Sequence, residues 1–321
     1  MSVLVTGAAG FIGFHVARHL LEKTMSVIGF DNVNDYYDIE LKEARLDVLR
    51  TYSKFKFVRS ELHNKDSVNQ VFKTYHPDIV INLAAQAGVR FSLTNPYAYV
   101  ESNIVGFLNI LEACRHNKVK HLIFASSSSV YGGNTQVPFS ETDDTEHPVS
   151  FYGVSKKSNE LMAHSYAYQY GLPVTGLRFF TVYGPWGRPD MAYFKFVRSI
   201  LAEKVIRVFN YGNHVRDLTY IDDIVEVILR IIDLPPANAM VPYYIYNVGN
   251  SAPVTLVNMI EILEEELGKT AKKELFSMQT GDMVATWADT NSLRERINFS
   301  PSTPVNLGLR EFVHWYLDFY K

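Results

Sequence analysis

The sequence predicts an α/β protein: a doubly wound parallel sheet joined to a smaller α/β domain that is discontinuous along the chain. Three observations predict it. Short apolar runs alternate with longer amphipathic segments through the first 180 residues, the pattern of strand–helix–strand units. Three glycines, Gly7, Gly10 and Gly13, separate the first apolar run from the first amphipathic one. After Arg178 the alternation yields to a loop-rich stretch holding Gly184, Pro185, Gly187 and Pro189.

In order, Val3–Val5, Val27–Phe30, Phe55–Val58, Ile79–Leu83, Leu122–Ala125 and Val174–Leu177 are the expected strands. Ile12–Leu21, Asp66–Thr74, Tyr97–His116 and Tyr152–Tyr170 are the helices between them, with Ile104, Phe107, Leu108 and Leu111 spaced as a core-facing stripe. A helix at about Tyr193–Glu203 opens the second region. The helical Tyr220–Ile232 and strand-like Tyr243–Val248 read as a return to the main sheet, and Val254–Leu267 and Leu307–Tyr320 as further helices. The expected division is 1–178 plus about 216–248 for the first domain, and about 179–215 plus 249–321 for the second.

With 321 residues the chain can bury a full ligand site. Its 31 basic and 34 acidic residues give a net charge of −3, which carries no footprint of a nucleic-acid or anionic-membrane partner. There is no apolar run of about 18 residues, and Ser2–Val5 leads straight into the glycines without a basic segment, so a cytoplasmic location is expected. The single Cys114 excludes an internal disulfide and reads as a buried, inert thiol on a helix face. His15 and His19 have metal-compatible spacing but no third ligand; they read as exposed helix histidines, and no metal is expected. The 20 Tyr, 20 Phe and 3 Trp supply either core area or surfaces for stacking rings.

The glycine run carries the first functional signal. Gly7 permits a tight turn, Gly10 lets backbone approach a pyrophosphate, and Gly13 lets the helix press close. The helix start at Phe11 and Ile12 then offers N–H groups and a partial positive charge to phosphates. Asp31 follows the second strand, 18 residues after Gly13, near the spacing at which an acid receives ribose hydroxyls. A carboxylate there repels a 2′-phosphate, which favours NAD over NADP; the competing reading is an acid that caps the turn with Asn32 and Asn34.

The second signal is Tyr152-Gly-Val-Ser-Lys156, a phenol and an ammonium four residues apart on one helix face. A phenol with a pKa of about 10 is a poor base at neutral pH. A neighbouring ammonium and oxidised nicotinamide both favour the phenolate, which can then take a proton from a sugar hydroxyl. Ser126–Ser129, at the end of a strand, adds hydroxyls able to bridge substrate and Tyr152.

Taken with Leu83-Ala-Ala-Gln86, Ser126-Ser-Ser-Ser-Val-Tyr-Gly132, Arg178-Phe-Phe-Thr-Val-Tyr-Gly-Pro185 and Arg216-Asp-Leu-Thr-Tyr-Ile-Asp-Asp223, these motifs make the chain resemble the extended short-chain dehydrogenase/reductases over nearly its whole length. Within them it is similar to the nucleotide-sugar 4-epimerases. The resemblance implies a Rossmann-type first domain, NAD as cofactor and a UDP-sugar substrate. It implies Tyr152 as base, Lys156 as its activator and a ribose ligand, and Ser127 as the hydroxyl sharing the C4 proton. It places Gly7, Gly10, Phe11, Ile12, Gly13, Asp31, Asn32, Glu61, Leu62, Leu83, Ala84, Ala85, Gln86 and Asn103 around the cofactor. Arg90, Arg216 and Asp282 are implied on the substrate side. Two departures stand out: Glu61 where the family often has Asp, and Gln279 where the galactose epimerases carry Arg, which leaves more of the diphosphate to Arg216. Tyr97–His116 and Tyr152–Tyr170 resemble the helices that pair family members into homodimers as a four-helix bundle.

The stretch from Thr181 to Phe194 discriminates most. Many hexose epimerases show Asn at the position of Thr181, and Arg188-Pro-Asp-Met resembles the members that act on glucuronate. Arg188 is then a candidate for a two-pronged grip on a sugar carboxylate, the alternative being a surface arginine that caps its own loop. Oxidising C4 of a glucuronate makes a β-keto acid, which loses carbon dioxide once the carboxylate bond aligns with the carbonyl π system. Arg188 with hydroxyls of Thr181 and Ser128 or Ser129 would hold it out of alignment. The expected activity is reversible C4 epimerisation of UDP-glucuronate to UDP-galacturonate. The alternatives are a neutral-sugar UDP-hexose 4-epimerase, a glucuronate decarboxylase, or an NAD-binding regulator without turnover.

Overall fold

The computed structural model describes residues 1–236, 239–278 and 283–320. They divide into two compact units, 1–134 with 141–179 and 225–246, and 135–140 with 180–224 and 247–321.

The first unit carries a seven-stranded sheet. Its strands are β1 (Ser2–Thr6), β2 (Ser26–Asp31), β3 (Phe55–Arg59), β4 (Ile79–Asn82), β5 (His121–Ser127) and β6 (Val174–Phe179), with Tyr243–Val248 at the edge beside β6. The order runs β3, β2, β1, β4, β5, β6, and every neighbouring pair among these six is parallel. The chain builds outward from β1 to β3, then returns to the other side of β1 with β4. That reversal opens a crevice at the carboxyl ends of β1 and β4. Burial is near-continuous along β1, β4, β5 and β6, as a sheet covered on both faces requires. Leu4, Phe30, Val80, Leu122 and Phe124 meet Phe72, Phe107, Ile110 and Leu111 from the flanking helices in one core. Cys114 lies inside it, fully buried, and burial pushes its thiol up.

The second unit is built around Val215–Tyr220. This strand pairs antiparallel with Pro253–Thr255 and parallel with Ala285–Thr286 and Thr181–Tyr183. A separate parallel pair joins Ile206–Val208 to Lys273–Leu275. Helices Ala192–Leu201, Leu256–Leu267 and Val305–Phe319 cover a core of Phe194, Val197, Leu218, Ile260, Leu263, Phe312 and Val313. Asp217, fully buried, accepts the backbone N–H groups of Asn250, Ser251 and Ala288 at 2.8–3.1 Å, and burial raises its pKa.

Three features differ from the sequence expectation. Residues 135–140 and 216–224 group with the second unit, the latter because the strand Val215–Tyr220 finds its partners there. Tyr97–His116 is not one helix: Pro96–Tyr99 and Gly106–His116 flank a π-helical segment, Val100–Val105. A helix not expected at all, Ile39–Arg50, follows β2. Among the described residues no helix is long and apolar enough to cross a membrane.

Candidate active site

The glycine loop leaves β1 with Gly7 at φ +73°, a conformation open to glycine. A Cβ on Gly13 would lie 2.0 Å from the Gly7 carbonyl oxygen, so the helix can start only where its third residue has no side chain. Helix Phe11–Glu22 has no side-chain cap and no acid in its first turn, which leaves its positive end directed at the loop. The neighbouring Leu83–Gln86 segment is fixed to this loop: Ala84 donates its N–H to Thr6 Oγ1 at 3.1 Å, and Thr6 donates to Asn82 Oδ1 at 2.8 Å.

Asp31 stands at the end of β2, 9% exposed. Its Oδ2 accepts the Ala9 N–H at 3.0 Å and its Oδ1 the Val33 N–H at 2.8 Å. Burial raises its pKa, opposed by these bonds and by the charges of Lys42 and Arg45. Each oxygen keeps a second acceptor site for a ribose hydroxyl. Arg45, fully buried, donates to the Ala9 carbonyl at 2.8 Å, so both backbone groups of one loop residue are held. Asn32 donates to Glu61 Oε2 at 2.9 Å, and the buried Leu62 packs on Gly106. The loop, the uncapped helix and Asp31 together fit a dinucleotide, with Lys156 available to its nicotinamide ribose.

Tyr152 and Lys156 lie in the first two turns of helix Phe151–Tyr170, capped by Ser150, whose Oγ accepts the Gly153 N–H at 3.0 Å. Lys156 is 3% exposed; its Nζ donates to the Ala125 carbonyl at 2.9 Å and lies 6.0 Å from the centre of the Tyr152 ring. Burial lowers its pKa to about 8. The Tyr152 ring meets the buried Tyr99 edge-on at 6.1 Å. Ser127, two residues beyond Ala125, accepts the Ser129 N–H at 3.1 Å and lies 3.2 Å from Ser129 Oγ. The helix bearing the phenol and the strand bearing the serines are thus docked on each other by Lys156.

Asn103 sits in the π-helical segment, 2% exposed. It bonds both backbone groups of Gln86, at 2.8 and 3.0 Å, and donates to Ser155 Oγ at 2.9 Å. Ser155 in turn donates to the Tyr152 carbonyl at 2.8 Å. Asn103 therefore ties the loop after β4 to the turn that carries Tyr152. Arg90, also in the first unit, is exposed at the start of the short helix Phe91–Thr94.

In the second unit Thr181 is half-buried on the strand beside Val215–Tyr220, and Arg216 donates to the Val215 carbonyl at 2.9 Å. Arg188 closes its guanidinium fork on Asp190, with Nε to Oδ1 at 3.0 Å and Nη2 to Oδ2 at 2.5 Å. Burial opposes ionisation of Asp190, yet Arg188 holds its pKa below the ordinary value. Tyr183, Tyr193 and Phe194 are core residues, while Trp186 packs on Trp315 and Phe319 of the closing helix. Asp282 and Gln279 lie outside the described residues. His15 is buried between the rings of Phe11 and Phe14 rather than exposed, and the His19 ring bonds its carbonyl.

Sequence reasoning missed Tyr99, Ser155, Arg45, Glu160 and the side chain of Arg178. Only Glu160 left a readable signal, an acid four residues after Lys156 on the face that must turn inward.

Comparison with known proteins gives the family. The family model of the NAD dependent epimerase/dehydratase family matches residues 3–249. Protein CapI of Staphylococcus aureus is 50% identical over 334 residues, covering both chains completely. A probable UDP-glucuronate 4-epimerase of Rhizobium meliloti is 43% identical over 335 residues, covering 100% of this chain and 98% of its own. The crystal structure of UDP-glucuronic acid 4-epimerase from Bacillus cereus, in complex with UDP-glucuronic acid and NAD, aligns over 100% of both chains with a TM-score of 0.93 and 34% identity. The chain belongs to the NAD dependent epimerase/dehydratase family, and its cofactor is NAD.

Proposed function

We propose that this protein interconverts UDP-glucuronate and UDP-galacturonate by inversion at C4. The likeness over full length to an epimerase solved with UDP-glucuronic acid and NAD carries the reading, and the Tyr152–Lys156–Ser127 set supplies the chemistry. NAD, when bound, accepts the hydrogen of C4 as hydride and later returns it. Tyr152, as phenolate, takes the O4 proton as the C4 carbonyl forms, and gives it back on reduction. Lys156 supplies the charge that favours the phenolate, and Ser127 hydrogen-bonds the same oxygen. Inversion follows when the 4-keto sugar presents its other face before reduction.

Ser128 and Ser129 are proposed to hold the uronate carboxylate through hydroxyl donors, so that the C5–carboxylate bond stays out of line with the C4 carbonyl; Thr181 is proposed as a substrate-binding hydroxyl of the second unit. Arg188 supports this as a loop-fixing cation paired with Asp190, and contacts the carboxylate directly only by exchanging that partner. Arg216, Arg90 and Asp282 are proposed for the UDP moiety. The working unit is proposed to be a cytoplasmic homodimer. Its support is the set of exposed apolar side chains Tyr97, Leu161 and Tyr168 on the two helical stretches expected to pair.

The test is NMR of the products from UDP-glucuronate, with Tyr152→Phe as control. UDP-galacturonate is the expected product; carbon dioxide and a UDP-pentose would replace the epimerase by a decarboxylase.

A further inference from the structure

The 126–131 segment holds the three serines that the proposed function needs; within it the Ser127 hydroxyl accepts the Ser129 N–H, but both ends of the segment are held from outside it. What fixes it is a buried ion pair. Arg178 on β6 stands beside Ser126 of β5 in register, 3% exposed. It faces Glu160, 4% exposed and one turn beyond Lys156 on the helix Phe151–Tyr170. The pair is two-pronged: Nε to Oε1 at 2.8 Å and Nη2 to Oε2 at 2.9 Å, the geometry of a strong arginine–carboxylate bond.

Each partner then reaches one end of the serine segment. Ser126 donates its hydroxyl to Glu160 Oε1 at 2.5 Å. Arg178 Nη1 donates to the Tyr131 hydroxyl at 2.9 Å, with the guanidinium carbon 4.9 Å from the centre of the Tyr131 ring. Ser127, Ser128 and Ser129 lie between these two anchors. On the same helix, Lys156 holds Ala125 and Glu160 holds Ser126, so consecutive residues of β5 are docked at consecutive helical turns.

We propose that the Arg178–Glu160 pair is the positioning device of the site: it brackets the serines and sets their hydroxyls against Tyr152, without itself touching substrate. The inference rests on the uronate reading for one of its readouts. A structural ion pair alone would leave the fate of the intermediate unchanged. A positioning pair governs it, because serines displaced by a fraction of an ångström release the carboxylate into alignment, whereupon the C5–carboxylate bond breaks, carbon dioxide leaves and its electron pair becomes the enolate of the 4-ketone.

Two variants test this, assayed as NAD-loaded protein. Ser126→Ala removes one anchor without disturbing the ion pair. Glu160→Leu with Arg178→Met removes both charges together, a replacement that buried ion pairs often tolerate. Both are expected to keep NAD, to lower kcat about tenfold with KM for the UDP-sugar little changed, and to raise carbon dioxide released per UDP-galacturonate formed. Wild-type kcat and wild-type product partition in both variants would overturn the proposal, as would an equal loss of kcat and NAD content with partition unchanged. Wild type assayed in parallel on UDP-glucuronate, UDP-glucose and UDP-N-acetylglucosamine separates the two readings. If only a neutral sugar turns over, the uronate reading fails, and kcat of the variants on that sugar still decides the positioning role.

Discussion

At the residue scale, the proposed chemistry concentrates on Tyr152 and the charge beside it. Tyr152→Phe removes the proton acceptor and leaves the ring, so kcat should fall by about 10²–10⁴-fold with NAD retained; a rate within a few-fold of wild type would move the base elsewhere. Lys156 carries a pH dependence with a definite sign. Its ammonium is present below a pKa of about 8 and lost above it, so activity should decline on the alkaline side around that pH, and Lys156→Arg should carry the decline upward because a guanidinium stays charged. The same depression acts on stability in the opposite sense. The folded-state pKa lies below the ordinary 10.5 because burial disfavours the charge. The unfolded chain therefore binds the proton more tightly between about 8 and 10.5, and stability contributed by this group rises as pH climbs through that window. Lys156→Met, inactive, should melt above wild type at neutral pH, with the gap closing toward the top of the window; an invariant gap in melting scans would contradict the assignment.

At the element scale, the helix Phe151–Tyr170 positions the site through partners that the sequence hid to different degrees. The glycine loop, Asp31 and the Tyr152–Lys156 pair were legible because each needs a fixed local spacing: a glycine at every third position, one turn between phenol and ammonium. The helix Ile39–Arg50 was not, since two of its five buried residues are Lys42 and Arg45, and cations in core positions break the apolar period. The π-helical turn at Val100–Val105 was invisible for a related reason: one inserted residue shifts Asn103 toward Gln86 and Ser155 without altering composition. The place of Val215–Tyr220 depends on distant partners that no local pattern names. Arg178 falls within a legible motif, but its partner Glu160 is 18 residues away in sequence. Its energetics are predictable now. Arg178→Met alone strands a buried carboxylate and should cost about 3–5 kcal/mol in urea unfolding, whereas adding Glu160→Leu should recover most of it. Equal losses in single and double variants would mean the pair is not the source of the cost.

At the scale of the whole molecule, the same helix has two faces with different work. Lys156, Glu160, Ala163 and Ala167 are buried toward the sheet. Val154, Leu161 and Tyr168, each seven residues from the last, are 41%, 61% and 72% exposed. Apolar side chains at heptad spacing form the seam of paired helices, and twenty residues of helix span about 30 Å, long enough for a substantial interface. Tyr97 and Leu108 add exposed apolar surface on the neighbouring helical stretch, Leu108 facing outward instead of joining the core-facing stripe that the spacing predicts. An isolated protomer would leave this surface in water at about 25 cal/mol for each Å², which is the physical case for a homodimer built on these two stretches. Leu161→Glu puts a carboxylate in the middle of the seam and changes nothing that faces the sheet. On the proposed homodimer, wild type is expected to sediment as a dimer and this variant as a monomer, and the variant's melting temperature should lose the dependence on protein concentration that a dimer shows. A variant that still sediments as a dimer would place the interface on another face and leave the exposed heptad stripe without this explanation.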